Sequence, residues 1–142
     1  MLFPVAWTGA EQEKGACFNY INDPYAEAKI SDLPECIAGK LHLHQQKAVT
    51  RVLKRNGRMI LNDDLGVGKR LVAISVAIVY KTEWPLLIIC PQVLQVLWKE
   101  EFVKWIPKFD VTKIQIFSGA PGEELRNNAA IYIVSYQNLL SA

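Results

Sequence analysis

Met59-Ile60-Leu61-Asn62-Asp63-Asp64-Leu65-Gly66-Val67-Gly68-Lys69-Arg70-Leu71-Val72-Ala73-Ile74 is the stretch on which the fold turns. Its apolar start, Arg58 to Leu61, is bounded by turn residues and predicts a short buried strand. Asn62 to Gly68 predicts a loop. Lys69 to Tyr80 predicts a helix that is apolar nearly all round, hence packed deeply against a sheet. Strand, glycine loop, lysine and helix in that order are the context of a phosphate loop. Glycines let backbone N–H groups turn toward a phosphate with no Cβ in the way. The helix N terminus adds partial positive charge, and Lys69 is a mobile cation for β and γ phosphate oxygens. Two positions depart from the general pattern GxxxxGK[ST]. Asp63 stands where the first glycine belongs, and Arg70 stands where a hydroxyl would bind Mg²⁺. A guanidinium has no lone pair for a cation and repels it; its alternative is direct phosphate contact. A strand-to-helix turn with no ligand is the competing reading of the loop.

Outward from the loop, Val49, Val52 and Leu53 place a helix over His44–Lys54, ended by Asn56-Gly57. Ser31 to Glu35 looks like a helix start, with Gly39 as its stop. Pro85-Leu86-Leu87-Ile88-Ile89-Cys90-Pro91 has an unbroken apolar centre, as a strand buried on both faces requires. Val93 to Trp105 predicts an amphipathic helix with Val93, Leu94, Leu97, Phe102 and Trp105 inward. Ile114–Phe117 is a further strand, Gly119 to Asn128 a polar loop, and Ile131–Val134 a fourth strand, with a helix beginning near Tyr136. Strands separated by helices imply an α/β fold with a parallel sheet flanked by helices. Four strands are fewer than an open α/β sheet usually has, so the lobe is expected to be incomplete. Residues 1–29 carry no clean period and form an irregular lead-in; residues 30–142 form the organised domain.

Composition narrows the function classes. The chain has 142 residues and is 51% hydrophobic, enough for one core and too little for two. A net charge of +2 does not by itself imply nucleic acid. Three cysteines, Cys17, Cys36 and Cys90, with no CxxC pair give poor support to a disulfide framework or a zinc site. His42 and His44 have no ligand set beside them, so no metal site is expected. The longest apolar run, Leu71–Tyr80, is about half of what a membrane span needs, and the N terminus lacks a secretory pattern. A soluble, intracellular protein with no membrane partner is expected.

Longer words surround the loop. Gly57 to Lys69 resembles motif I of the Swi/Snf-like ATPases of helicase superfamily two, which has an acidic pair and no glycine at the Asp63 position. Leu41-His42-Leu43-His44-Gln45-Gln46-Lys47-Ala48-Val49 resembles the Q motif. Glu83-Trp84-Pro85-Leu86-Leu87-Ile88-Ile89-Cys90-Pro91, followed by Trp98, Glu101 and Lys104-Trp105-Ile106-Pro107, resembles motif Ia. Ile133 to Leu139 resembles motif Ib. The resemblance runs from about Ile30 to the end. With Lys54-Arg55-Asn56-Gly57-Arg58 it points to the branch of annealing helicases that rewind DNA and remodel stalled forks, of the HepA-related and Ran-binding zinc-finger types.

The resemblance implies a RecA-like first lobe and a nuclear protein acting on double-stranded or forked DNA. It implies an ATP site made by Gln45, Leu65, Gly66, Val67, Gly68, Lys69 and Arg70, with Mg²⁺ as the family's metal, although Arg70 replaces the family's threonine. Gln45 would read adenine; otherwise it is a solvated helix residue. Gln92, Ser135 and Tyr136 would meet the DNA backbone at the C-terminal ends of strands; otherwise Ser135 caps the following turn. Trp98 and Trp105 could stack on bases, but packing against the sheet is favoured. No Asp-Glu-x-His motif and no second RecA-like lobe occur in the 142 residues. Phosphoryl transfer needs the groups those elements supply, so hydrolysis by this chain alone is not expected. A degenerate, non-catalytic module that binds DNA or a protein is the rival reading. An unrelated phosphate-loop kinase is disfavoured by the Q-like and Trp-Pro-Leu-Leu words.

Overall fold

A computed structural model describes residues 29–106 and 108–139. The lead-in assigned to residues 1–29 lies outside them but for Lys29. The elements are a 3₁₀ turn at Ile30–Asp32, then α1 (Glu35–Ala38), α2 (Leu43–Leu53) and α3 (Lys69–Val79). They continue with β1 (Leu86–Cys90), α4 (Gln95–Trp105), β2 (Ile114–Phe117) and β3 (Ile131–Ser135).

The three strands form one parallel sheet in the order β1-β3-β2, as an α/β reading requires. Ile88 is in register with Ile133, and Ile133 with Ile116, so the apolar centres of all three strands coincide. The β2–β3 connection contains no helix. Its polar loop is tied back onto β2 instead: Gln115 Nε2 donates to Glu124 O at 2.9 Å, and Arg126 N donates to Gln115 Oε1 at 2.7 Å.

Helix α3 sits between two apolar clusters, which is why its sequence is apolar nearly all round. Leu71, Val72 and Val76 pack with Val49, Val52 and Leu53 of α2. Ile74 and Ala77 pack with Ile88, Ile131 and Ile133 of the sheet. Helices α2 and α3 run in the same direction. Gln45 touches Val67 at one end. At the other, a Cβ on Gly57 would lie 3.3 Å from the Tyr80 ring. Gly57 can sit there because its φ of 76° suits a residue without Cβ.

Three expectations are corrected. Arg58–Leu61 is not a strand: no described strand lies beside it, and a strand exists only through ladder partners. Met59 and Leu61 pack on the α2–α3 cluster, while Ile60 is 88% exposed. Second, Val93 and Leu94 do not face inward. They lie in a 3₁₀ turn, Gln92–Leu94, and Val93 is 86% exposed. The phase of α4 is set by Trp98, Phe102 and Trp105, all packed in the sheet-side cluster. One buried Phe is worth up to about 3 kcal/mol, so three aromatics outweigh the valines on the other face. Third, residues 136–139 form a turn rather than the start of a helix.

Candidate nucleotide site

The loop Asp63–Gly68 leads directly into α3. Gly66 and Gly68 have φ of 84° and 83°, in the left-handed region, and Gly68 is the N-cap of the helix. That turn brings successive N–H groups to one side. The N–H groups of Gly66, Gly68 and Lys69 take no acceptor among the described residues. Nothing lies within 4 Å of a Cβ built on Gly66, so the loop is open on that side. Lys69 Nζ donates to Asp63 O and Asp64 O, each at 2.7 Å, and its ammonium therefore sits within the curve of the loop. Unpaired N–H donors, a helix N terminus and a lysine ammonium fit a phosphate chain.

They do not fit a metal ion equally well. Residues 62–70 contain no hydroxyl side chain. Among the described residues, no three His, Cys, Asp or Glu side chains cluster to hold an ion. Arg70 turns away from the loop: its Nη2 lies 4.0 Å from Glu101 Oε1 on α4. Glu101 also accepts Trp105 Nε1–H at 2.6 Å, and Lys104 Nζ lies 4.7 Å from the Trp105 ring centroid. Arg70 thus ties the start of α3 to α4. Trp105 and Trp98 belong to packing, with Trp98 and Phe102 ring centroids 6.5 Å apart.

Gln45 is 4% exposed. Its Oε1 accepts the His42 backbone N–H at 2.9 Å, capping α2, and its Nε2 donates to Val67 O at 3.2 Å. His44 Nε2 also lies 3.2 Å from Val67 O, and the His42 and His44 rings stack 5.7 Å apart. Gln45 therefore joins the start of α2 to the crown of the loop. A Cβ on Gly68 would run into Gln45 Nε2, so Gly68 is required twice, for its φ and for this approach. Leu65 is 95% exposed on the loop's outer side.

The other predicted residues lie at the C-terminal ends of β1 and β3, where Cys90 and Ser135 are in register. Gln92 and Tyr136 are exposed there. Ser135 is fully buried, and its Oγ accepts the Asn138 N–H at 3.1 Å, so it caps the turn. Two residues not singled out from the sequence hold this edge together. Gln95 Nε2, buried beneath the sheet edge, donates to Phe117 O at 3.1 Å and Ile133 O at 3.2 Å. Asn138 Nδ2 donates to Ser118 O at 2.6 Å. The signal for Gln95 was an amide on the same helical row as Trp98 and Phe102. Beyond β2, Glu123 Oε2 accepts Ser118 Oγ–H at 2.6 Å and Ser118 N–H at 2.9 Å. These bonds, the hydroxyl's first, hold its carboxyl below the usual range. Cys90 is buried in the core, where desolvation raises its thiol pKa and keeps it inert.

Comparison with known proteins is consistent with this geometry. Residues 44–142 match the model of the SNF2-related domain. The chain is 36% identical over 110 residues to the DNA annealing helicase and endonuclease ZRANB3 of Homo sapiens, covering 78% of this chain and 10% of that protein. It is 30% identical over 119 residues to a SWI/SNF-related regulator of chromatin, subfamily A-like protein 1, of Xenopus tropicalis, covering 84% of this chain and 12% of that one. The chain thus spans about a tenth of the length of these relatives. Among solved structures it superposes on the Sulfolobus solfataricus SWI2/SNF2 ATPase core in complex with dsDNA, with a TM-score of 0.60 and 29% identity, over 72% of this chain and 23% of that one. With a parallel sheet, a glycine loop capping α3 and a family match over most of its length, the chain belongs to the SNF2-related family.

Proposed function

We propose that this chain is the ATP-binding portion of a DNA translocase of the annealing-helicase type, acting on double-stranded or forked DNA in the nucleus. One observation carries the nucleotide part. Three unpaired N–H groups and the Lys69 ammonium meet at the loop at the N terminus of α3. In this reading residues 30–142 are part of a first RecA-like lobe, and a second lobe is its working partner. Gly66, Val67, Gly68 and Lys69 hold the phosphates, Leu65 flanks them, and Gln45 offers its remaining N–H to adenine. Gln92 and Tyr136 face the DNA backbone from the sheet edge, with Ser135 shaping the turn between β3 and Tyr136. The DNA assignment is supported by the activity for which the annealing-helicase relative is named and by the duplex bound to the structural neighbour. The nuclear location is supported by the chromatin-regulator relatives.

ATP supplies a phosphate chain and, in the family, an anhydride to be cleaved; what this chain contributes is binding and charge. Titration of a fluorescent ATP analogue tests it. Lys69→Ala is expected to weaken binding at least about tenfold, the loss of one charge-assisted contact of about 1.5–3 kcal/mol. Equal affinity of the two proteins would refute the nucleotide assignment.

A second reading has one specific observation behind it. Arg70 occupies the position of the family's metal-binding threonine and is engaged with Glu101. On that basis the chain is a non-catalytic module that keeps the fold and binds DNA or a protein. Failure of both the natural chain and Arg70→Thr to bind nucleotide would favour it.

A further inference from the structure

Helix α2 carries a face that the nucleotide site does not use. Lys47, Arg51 and Lys54 follow one another at intervals of four and three residues and are all exposed. That spacing sets side chains in one row along a helix. Arg55 and Arg58, also exposed, continue the basic character past the helix end. No Asp or Glu occurs from Leu41 to Asn62. Including Lys40, six of the sixteen basic side chains lie within residues 40–58, leaving ten to face all fourteen acidic ones. The rest of the chain is therefore net acidic, and the chain's net positive balance comes from this segment. Lys47, Arg51, Lys54 and Arg55 make no ion pair among the described residues, whereas a merely solvated helix face usually interleaves both signs.

The row has a direction. Helix α2 starts at the glycine loop, where Gln45 meets Val67, and ends where Gly57 meets Tyr80. The cations thus lead away from the loop and from the sheet edge that holds Gln92 and Tyr136. Lys47, Arg51 and Lys54 are separated by about 6 and 4.5 Å of helix axis. A duplex strand presents a phosphate about every 3.4 Å of its own axis, so a row of this pitch meets regularly repeating charge. Leu43, at the first residue, is the one large apolar side chain α2 exposes among the described residues. A protein partner would need an apolar centre; a duplex interface is polar and strongly positive.

We infer that the exposed face of α2 and the turn that follows it, with Lys47, Arg51, Lys54 and Arg55, form a second, sequence-independent binding surface for duplex DNA, separate from the sheet edge. The inference rests on the DNA reading above. It makes a chain that can grip two duplex segments at once, one at the sheet edge and one along α2.

The test uses the 142-residue chain and a random-sequence duplex of about two helical turns, with anisotropy titrations between about 50 and 200 mM KCl. One variant combines Lys47→Gln, Arg51→Gln, Lys54→Gln and Arg55→Gln. A second combines Gln92→Glu and Tyr136→Glu at the sheet edge. All six side chains are exposed, and circular dichroism checks that both variants fold. The α2 variant is expected to lose at least about tenfold in affinity, and its log–log salt slope should fall by about 3–4, close to 0.9 per phosphate contact. An unchanged slope in the α2 variant overturns the inference; if the edge variant then loses affinity, the DNA reading itself survives. A duplex that does not bind the natural chain at the lowest salt overturns both. Displacement of the duplex by polyglutamate at equal charge concentration overturns the assignment to DNA in favour of an acidic protein.

Discussion

Gly68→Ala is the substitution that most directly interrogates the join between the loop and helix α2. An alanine at φ 83° bears the left-handed penalty, about 1 kcal/mol. Its Cβ also runs into Gln45 Nε2, which must withdraw. Withdrawal breaks the 3.2 Å bond to Val67 O, a net loss of about 1 kcal/mol. It also drags Oε1 off the His42 N–H that caps α2, a further loss of about 1 kcal/mol. The total is about 3 kcal/mol, a large share of the roughly 5–15 kcal/mol that holds a domain folded. Gly66→Ala is the control: φ is 84°, but nothing lies within 4 Å, so only the backbone penalty of about 1 kcal/mol applies. Urea unfolding followed by circular dichroism measures both. In a Gln45→Ala background, the cost of Gly68→Ala should fall to about that of Gly66→Ala. Equal destabilisation by the two glycine variants in the natural background would refute the reasoning, because Gln45 would then have no part in it.

Arg70→Thr removes a pair separated by 4.0 Å whose side chains are 38% and 19% exposed, so unfolding free energy should change by less than about 1 kcal/mol. ATP affinity is expected to be insensitive to Mg²⁺ in the natural chain and Mg²⁺-dependent in the variant, as titrations with and without the metal will read. Gln95→Leu removes the donor shared by Phe117 O and Ile133 O, and urea unfolding should register a loss of about 2 kcal/mol. The Glu123 carboxyl is held below its ordinary value by Ser118, so the loop's stabilisation is present above the unfolded carboxylate pKa and is lost as pH falls through the lower folded value. Amide exchange should show Ser118 and Ala120 losing protection under acid in the natural chain, and already unprotected at neutral pH in Glu123→Ala.

Much of this molecule is decided within short windows of sequence. The apolar runs Leu86–Cys90 and Ile131–Ser135 can only be strands buried on both faces, and they are. The glycines and Lys69 specify the tight turn into α3, because left-handed φ and a cation at a helix N terminus are local properties. The row Lys47, Arg51, Lys54 follows from helical period alone. Other features depend on what lies across space. Arg58–Leu61 has the composition of a strand but no described neighbour to pair with, and pairing is not a local quantity. Whether Val93 or Phe102 sets the phase of α4 is settled by the volume available against the sheet. Gln45 and Arg70 show the limit most clearly. Each is a plausible ligand residue in the sequence, yet the fold aims one amide at Val67 and one guanidinium at Glu101, because the partners that satisfy them sit on elements distant in the chain.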